Sequence, residues 1–75
     1  MENNVEMKPV ESTHIESVGY DSDKKILTVK FKSESTYDYY PITEMLYEEF
    51  MASESKGKYF REFIRENEHI ETERK

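Results

Sequence analysis

The chain of 75 residues lacks cysteine and tryptophan, and it contains only two glycines and two prolines. Without cysteine no disulfide, thiolate nucleophile or cysteine-ligated zinc site can form, so packing alone has to stabilise the fold. No stretch approaches eighteen consecutive apolar residues, and the first residues are acidic and polar. Neither a membrane span nor a signal peptide is therefore predicted, and a cytoplasmic location is the default expectation.

Residues that carry out catalysis or bind metals are also scarce. His14 and His69 are isolated in the sequence, without the i, i+4 spacing or the neighbouring carboxylates of a metal site. Ser53 and Ser55 have no histidine nearby in the sequence, and no glycine-rich phosphate loop is present. A chain of this length has room for one small core, so we expect no enzyme activity, no cofactor, no metal and no small-molecule substrate.

Acidic residues outnumber basic residues by 17 to 11, which gives a net charge of −6, opposite in sign to a typical nucleic-acid-binding protein. Residues 33–55 contain six acidic residues and no basic one: Glu34, Asp38, Glu44, Glu48, Glu49 and Glu54. Residues 56–65 carry four basic residues against the single acidic Glu62: Lys56, Lys58, Arg61 and Arg65. The sequence therefore contains one acidic and one basic candidate surface.

Three strands are predicted in the first half of the chain. Residues 26–32 alternate apolar and polar side chains with period two, which is the clearest strand signal in the sequence. A shorter apolar run over residues 15–20 precedes a polar loop, and the aromatic run 36–40 ends at Pro41. Short polar connections between these runs predict a three-stranded antiparallel meander.

Two helices are predicted after the strands. Thr43 is a suitable N-cap, and the carboxylate of Glu44 suits the positive end of the helix dipole. This helix should end near Ala52, and its apolar residues share one face: Met45, Leu46, Phe50 and Met51. The second helix follows a break over residues 53–57, and its apolar residues also form one stripe: Tyr59, Phe60, Phe63 and Ile64.

Strands followed by helices indicate an α+β fold, a two-layer βββαα sandwich in which both helices pack on one face of the meander. We expect one domain over residues 12–67. A flexible lead-in, residues 1–11, precedes it, and residues 68–75 form an acidic tail that is expected to fray.

Several short motifs occur in order between residues 12 and 65: Ser12-Thr13-His14-Ile15, Val18-Gly19-Tyr20-Asp21, Leu27-Thr28-Val29-Lys30-Phe31, Tyr37-Asp38-Tyr39, Ile42 with Tyr47, Ala52-Ser53-Glu54-Ser55-Lys56-Gly57-Lys58-Tyr59-Phe60, and Ile64-Arg65. Together they resemble the KTSC domains, which occur at the carboxyl terminus of certain lysyl-tRNA synthetases and as free-standing bacterial and phage proteins. The resemblance implies a sheet-plus-helices domain of a bacterial cell or phage, without known enzymatic activity, for which RNA binding has been suggested.

The sequence departs from this family pattern at three places. Glu34 stands where members often have a glycine in the second hairpin, and Thr43 stands where a proline usually opens the first helix. An acidic stretch, residues 66–68, replaces the aromatic residue that commonly follows the second helix.

The acidic segment leads to the first functional hypothesis, a small module that imitates the charge of nucleic acid. Carboxylates on a rigid sheet and helix would occupy the basic DNA- or RNA-binding surface of a partner, such as a nucleoid-associated protein. The residues expected to make these contacts are the six acidic ones: Glu34, Asp38, Glu44, Glu48, Glu49 and Glu54.

The alternative hypothesis is RNA binding through the basic segment, with Lys56, Lys58, Arg61 and Arg65 on phosphates and Tyr37 and Tyr39 on bases. Gly57 would either expose backbone N–H groups to an anion or act as a hinge between helices. With a turn at Ser33-Glu34-Ser35, Tyr37 and Tyr39 would lie opposite Phe31 and Val29 and thus in the core, and Lys30 would pair with Asp38 on the exposed face.

Overall fold

The structure is a computed structural model that describes residues 6–75. Within these residues the strands are β1 (Lys8–Pro9), β2 (Ile15–Asp21), β3 (Ile26–Phe31), β4 (Thr36–Tyr40) and β5 (Glu71–Arg74). Helix α1 spans Glu44–Ala52, and helix α2 spans Lys56–Phe60 and continues directly into a π-helical turn, Arg61–Arg65. The strands form one antiparallel sheet in the order β1-β2-β3-β4-β5.

The core lies between one face of this sheet and the helices. It is built from alternate strand residues and from the inner sides of α1, α2 and the π-helical turn: Ile15, Val18, Leu27, Val29, Tyr39, Ile42, Phe50, Phe60 and Ile64. Phe60 is its centre, with ring centroids 5.7 Å from Phe31, 5.0 Å from Tyr39 and 6.5 Å from Phe50. The predicted α+β architecture, an antiparallel sheet with two helices, is confirmed.

The sheet has five strands in the described chain, so the predicted three-stranded meander is wrong in strand number. Part of the predicted lead-in pairs with β2, with Lys8 opposite Val18, whereas residues 1–5 lie outside the described residues. The predicted fraying of residues 68–75 is also wrong, because β5 pairs with β4 and Thr72 lies opposite Tyr39. All four side chains of β5 are exposed, so backbone hydrogen bonds hold this strand and no apolar pattern announces it.

The β3–β4 register differs from the prediction by two residues. Tyr37 lies opposite Val29 and Tyr39 opposite Leu27, because the loop is centred on Ser33. The backbone N–H of Phe31 donates to the Ser35 carbonyl at 2.8 Å and closes this loop. A shift of two preserves the side-chain alternation, so Tyr37 and Tyr39 face the core as predicted, although their predicted partners are wrong.

The shifted loop places Glu34 in the left-handed region of backbone conformation, with φ of 77°. An L-residue with a side chain is strained there, whereas glycine is not. We therefore expect Glu34→Gly to raise the free energy of unfolding by about 0.5–1 kcal/mol, which thermal melting followed by circular dichroism would measure.

Ser33 provides the matched control for this substitution, since it is exposed in the same loop but does not have a positive φ. Ser33→Gly should leave stability unchanged or lower it slightly, because glycine has more conformational freedom to lose on folding. Equal melting temperatures for the Glu34→Gly variant and the unchanged protein would contradict the assignment of strain to Glu34.

Helix α1 begins as the sequence predicts. The Thr43 hydroxyl oxygen accepts a hydrogen bond from the Leu46 backbone N–H at 3.1 Å, which confirms Thr43 as the N-cap. The predicted apolar face is wrong at Met45, which is 69% exposed, while Phe50 is fully buried. Tyr47 contributes to the inner side instead, and its ring stacks on Tyr20 at a centroid distance of 4.4 Å.

Candidate functional site

An open groove of about 710 Å³ lies at the end of the sheet where β2 begins and β3 ends. Its walls come from three separate segments: residues 11–15, residues 31–33 and residues 54–65. Five lysine or arginine side chains line it: Lys32, Lys56, Lys58, Arg61 and Arg65. Two carboxylates, Glu11 and Glu54, also line it, so the formal excess is three positive charges. We call this region the basic groove.

The first wall is fixed by a local turn at Ser12. The Ser12 hydroxyl oxygen accepts hydrogen bonds from the backbone N–H groups of His14 and Ile15, both at 3.2 Å. The Lys32 backbone N–H donates to the His14 carbonyl oxygen at 2.9 Å, which ties this turn to the end of β3. His14 and Lys32 are thereby brought to the same wall, although they are far apart in the sequence.

The opposite wall is the side of α2 and the π-helical turn that carries basic residues. Lys58, Arg61 and Arg65 are spaced by three and four residues, so their side chains lie on one side of the helix. Phe60 and Ile64 lie beneath them in the core and anchor this wall to the sheet. The π-helical geometry is closed by the Glu66 backbone N–H, which donates to the Arg61 carbonyl oxygen at 3.1 Å.

Gly57 does not have the hinge role predicted from the sequence, and it lines the basic groove. It lies inside α2, so it is not a hinge between helices, and it faces Ser12 rather than open solvent. A Cβ atom at this position would lie 3.3 Å from the Ser12 hydroxyl oxygen. Gly57 thus allows the Ser12 turn and α2 to approach closely.

The six acidic residues predicted to form one partner-binding surface are spread over different parts of the molecule. Asp38 points to the sheet face away from the helices, where it accepts from the Thr28 hydroxyl at 2.6 Å and lies 3.5 Å from the Lys75 ammonium. The predicted pair of Lys30 with Asp38 is therefore absent, and Lys30 lies 3.8 Å from Glu16 instead.

The other acidic residues fall into three places. Glu34 is exposed in the β3–β4 loop, and Glu54 lines the basic groove. Glu44, Glu48 and Glu49 are exposed on α1. Three of the six carboxylates therefore share one element, α1, whereas the other three lie in the sheet, in the β3–β4 loop and in the α1–α2 connection.

Tyr37 and Tyr39 belong to the hydrophobic layer. Tyr39 is 4% exposed, and burial raises the pKa of its phenol. Tyr37 is half-buried and packs edge-to-face on Phe31 at a centroid distance of 5.9 Å. Neither ring lines the basic groove, and the aromatic side chains at its wall are Phe31 and the buried Phe60, both of which sequence reasoning assigned only to the core.

Sequence reasoning missed the contributions of Ser12, His14 and Lys32 to the groove. Lys32 ends the alternating run of β3, and its position there gave no sign that it meets α2. Residues 6–75 contain no cluster of histidine, cysteine or carboxylate side chains that could hold a metal ion. In the same part of the chain, no helix is long and apolar enough to cross a membrane.

The fold and groove define a small α+β domain with a basic cleft. The chain belongs to the KTSC domain family, whose model matches residues 11–67. Its sequence is 30% identical to that of a KTSC domain protein from Yersinia pestis whose crystal structure is known. The two structures superpose with a TM-score of 0.85, and the match covers 95% of this chain and 97% of that one.

Two further proteins are similar to the chain in sequence. A Tsukamurella paurometabola protein described only as "Protein" is 40% identical over 53 residues, which cover 71% of this chain and 79% of the relative. A lysine–tRNA ligase from Trichormus variabilis is 37% identical over 59 residues, 79% of this chain. The matched region is 10% of that ligase, so this chain corresponds to a small part of it.

Proposed function

We propose that the protein binds single-stranded RNA by its phosphodiester backbone in the basic groove. The observation that carries the proposal is the convergence of five lysine and arginine side chains from three segments on one cleft. Such a cluster attracts phosphates by releasing condensed counterions, and this depends on local charge rather than on the net charge of −6. The similarity of this domain to a segment of a lysine–tRNA ligase supports an RNA ligand.

The shape of the groove favours a single strand over a duplex. Phe31 is half-buried at the groove wall, so part of its ring is available to an unstacked base beside the bound phosphates. Bases in a duplex are stacked on each other and cannot reach such a ring. Glu11 and Glu54 would repel phosphates at the groove margin and confine the strand to the basic side.

Fluorescence anisotropy with a labelled eight-nucleotide uridine strand tests this proposal. If three phosphates are contacted, the logarithm of the association constant should fall with the logarithm of salt concentration with a slope of about −2. A duplex of the same length should bind more weakly. No binding at low ionic strength, or an affinity that does not change with salt, would contradict the proposal.

A second candidate function is docking of a basic protein on the outer side of α1. Helix α1 carries Glu44, Glu48 and Glu49 and no basic residue, and within residues 6–75 these glutamates make no ion pair. The nucleic-acid mimicry predicted from six acidic residues is thus reduced to these three. Replacing all three by glutamine should abolish salt-sensitive, nuclease-resistant retention of basic DNA-binding proteins on the immobilised domain; undiminished retention would contradict this candidate.

A further inference from the structure

A pair of aromatic rings, Tyr59 and Phe63, lies at the margin of the core, where Tyr59 packs against the buried residues, and neither ring lines the basic groove. The rings of Tyr59 and Phe63 are 4.6 Å apart between centroids, with an interplanar angle of 34°. Phe63 is 50% exposed, although the sequence pattern predicts it in the buried stripe. The change to π-helical geometry at Arg61 rotates the following residues relative to an ideal α-helix, and Ile64 takes the buried position.

Three carboxylates directly contact this aromatic pair or lie close to it in the chain. The Tyr59 hydroxyl donates to the Glu49 carboxylate at 2.9 Å, which fixes the α1 carboxylate beside the pair. Burial, together with this hydrogen bond, raises the pKa of Tyr59 to about 12. Glu62 directly precedes Phe63 in the chain and Glu66 follows it by three residues, and both are exposed carboxylates.

The charges of this helix differ in their relation to the basic groove. Lys58, Arg61 and Arg65 line the basic groove, whereas Glu62 and Glu66 are exposed and do not line it. We use the name outer aromatic patch for the rings and these carboxylates: Tyr59, Phe63, Glu49, Glu62 and Glu66. An exposed aromatic face with carboxylates nearby is complementary to a cationic side chain, which gains from both the ring quadrupole and the carboxylates.

We propose that the outer aromatic patch binds a lysine- or arginine-rich segment of a protein partner, with one cationic side chain over the ring of Phe63. This inference rests on the second candidate function, since both require a basic partner, and it assigns the anchoring contacts to Phe63 and Tyr59. An arginine fits these requirements best, because its planar guanidinium stacks on an aromatic face while it donates to a flanking carboxylate. No residue of the patch lines the basic groove, so RNA and the partner segment can bind together.

The test measures the affinity of a labelled hexa-arginine peptide for the full chain and for its variants by fluorescence anisotropy. Phe63→Leu keeps apolar bulk but removes the ring face, so the peptide affinity should fall about two- to fivefold. The double substitution Glu49→Gln with Glu62→Gln should weaken binding further and reduce its salt dependence. Glutamine at position 49 can still accept the Tyr59 hydrogen bond, which separates loss of charge from loss of structure.

Glu71→Gln is the matched control, because Glu71 is an exposed carboxylate on β5, away from α2. It should leave peptide affinity unchanged, and Phe63→Leu should leave RNA affinity unchanged. If glutamine substitution of Glu44 and Glu48 weakens the peptide complex while Phe63→Leu does not, the inference is overturned and the second candidate function survives. If none of these variants weakens the complex, both are overturned.

Discussion

Exchanging Lys58 and Arg61 for glutamate is expected to reduce the affinity for single-stranded RNA by about 100-fold at low ionic strength. Both residues line the basic groove, and the double substitution changes the formal charge of its lining from +3 to −1. Each phosphate contact that is lost removes favourable counterion release, and each new carboxylate repels the strand. At roughly 1.4 kcal/mol for each tenfold change, this loss corresponds to about 3 kcal/mol.

Lys24 provides the control for this charge reversal. It is exposed in the β2–β3 loop, at the end of the sheet opposite the groove, and it does not line the cleft. Lys24→Glu should change RNA affinity only slightly, because at ordinary salt concentrations a distant charge is screened. Thermal melting of both variants should confirm that they are folded. Equal losses of RNA affinity in the two variants would show that the net charge of the protein, and not the charge of the groove, determines binding.

Replacing Phe60 by alanine is expected to have the largest effect on stability, a loss of about 3–5 kcal/mol. Phe60 is 3% exposed and contacts the rings of Phe31, Tyr39 and Phe50, so it links α2 to the sheet and to α1. A small domain has a total stability of about 5–15 kcal/mol, and the variant should be partly unfolded at room temperature. Urea unfolding followed by circular dichroism measures the loss.

Phe63→Ala is the matched control, since the same side-chain atoms are removed three residues later in the chain. Phe63 is 50% exposed, so its loss should cost less than about 1.5 kcal/mol. Because Phe60 also lines the basic groove, the Phe60→Ala variant should lose RNA binding along with its fold. Similar unfolding midpoints for the two variants would contradict the placement of Phe60 at the centre of the core.

The parts of the fold that sequence reasoning predicts correctly depend on local signals. The alternation in residues 26–32 identifies β3, and the Thr43 hydroxyl identifies the start of α1. The face of Tyr37 and Tyr39 is also predicted correctly, because an error of two residues in register preserves alternation. The register itself depends on Glu34 adopting a positive φ, which its side chain disfavours; the glycine that KTSC domains often have at this position is the signal that could have indicated it.

The remaining features depend on contacts between distant segments. Strand β5 has no buried side chain, so its extended conformation depends on backbone hydrogen bonds to β4. The basic groove needs Lys32 and the Ser12 turn to meet α2, and the sequence places these elements more than twenty residues from it. The acidic residues form one block in the sequence but lie apart in the fold. The chain passes from β4 to α1 within this block, so its residues lie on the sheet, in the β3–β4 loop, on α1 and at the groove.

The measurement that tests the central claim most directly is a titration of the ¹⁵N-labelled protein with the eight-nucleotide uridine strand, followed by amide chemical shifts. The basic groove predicts that the largest shifts cluster at residues 12–14, 32–33 and 55–65, and that added salt reverses them. Shifts confined to the outer side of α1 or to the open face of the sheet, or no shifts at low ionic strength, would contradict RNA binding in the groove.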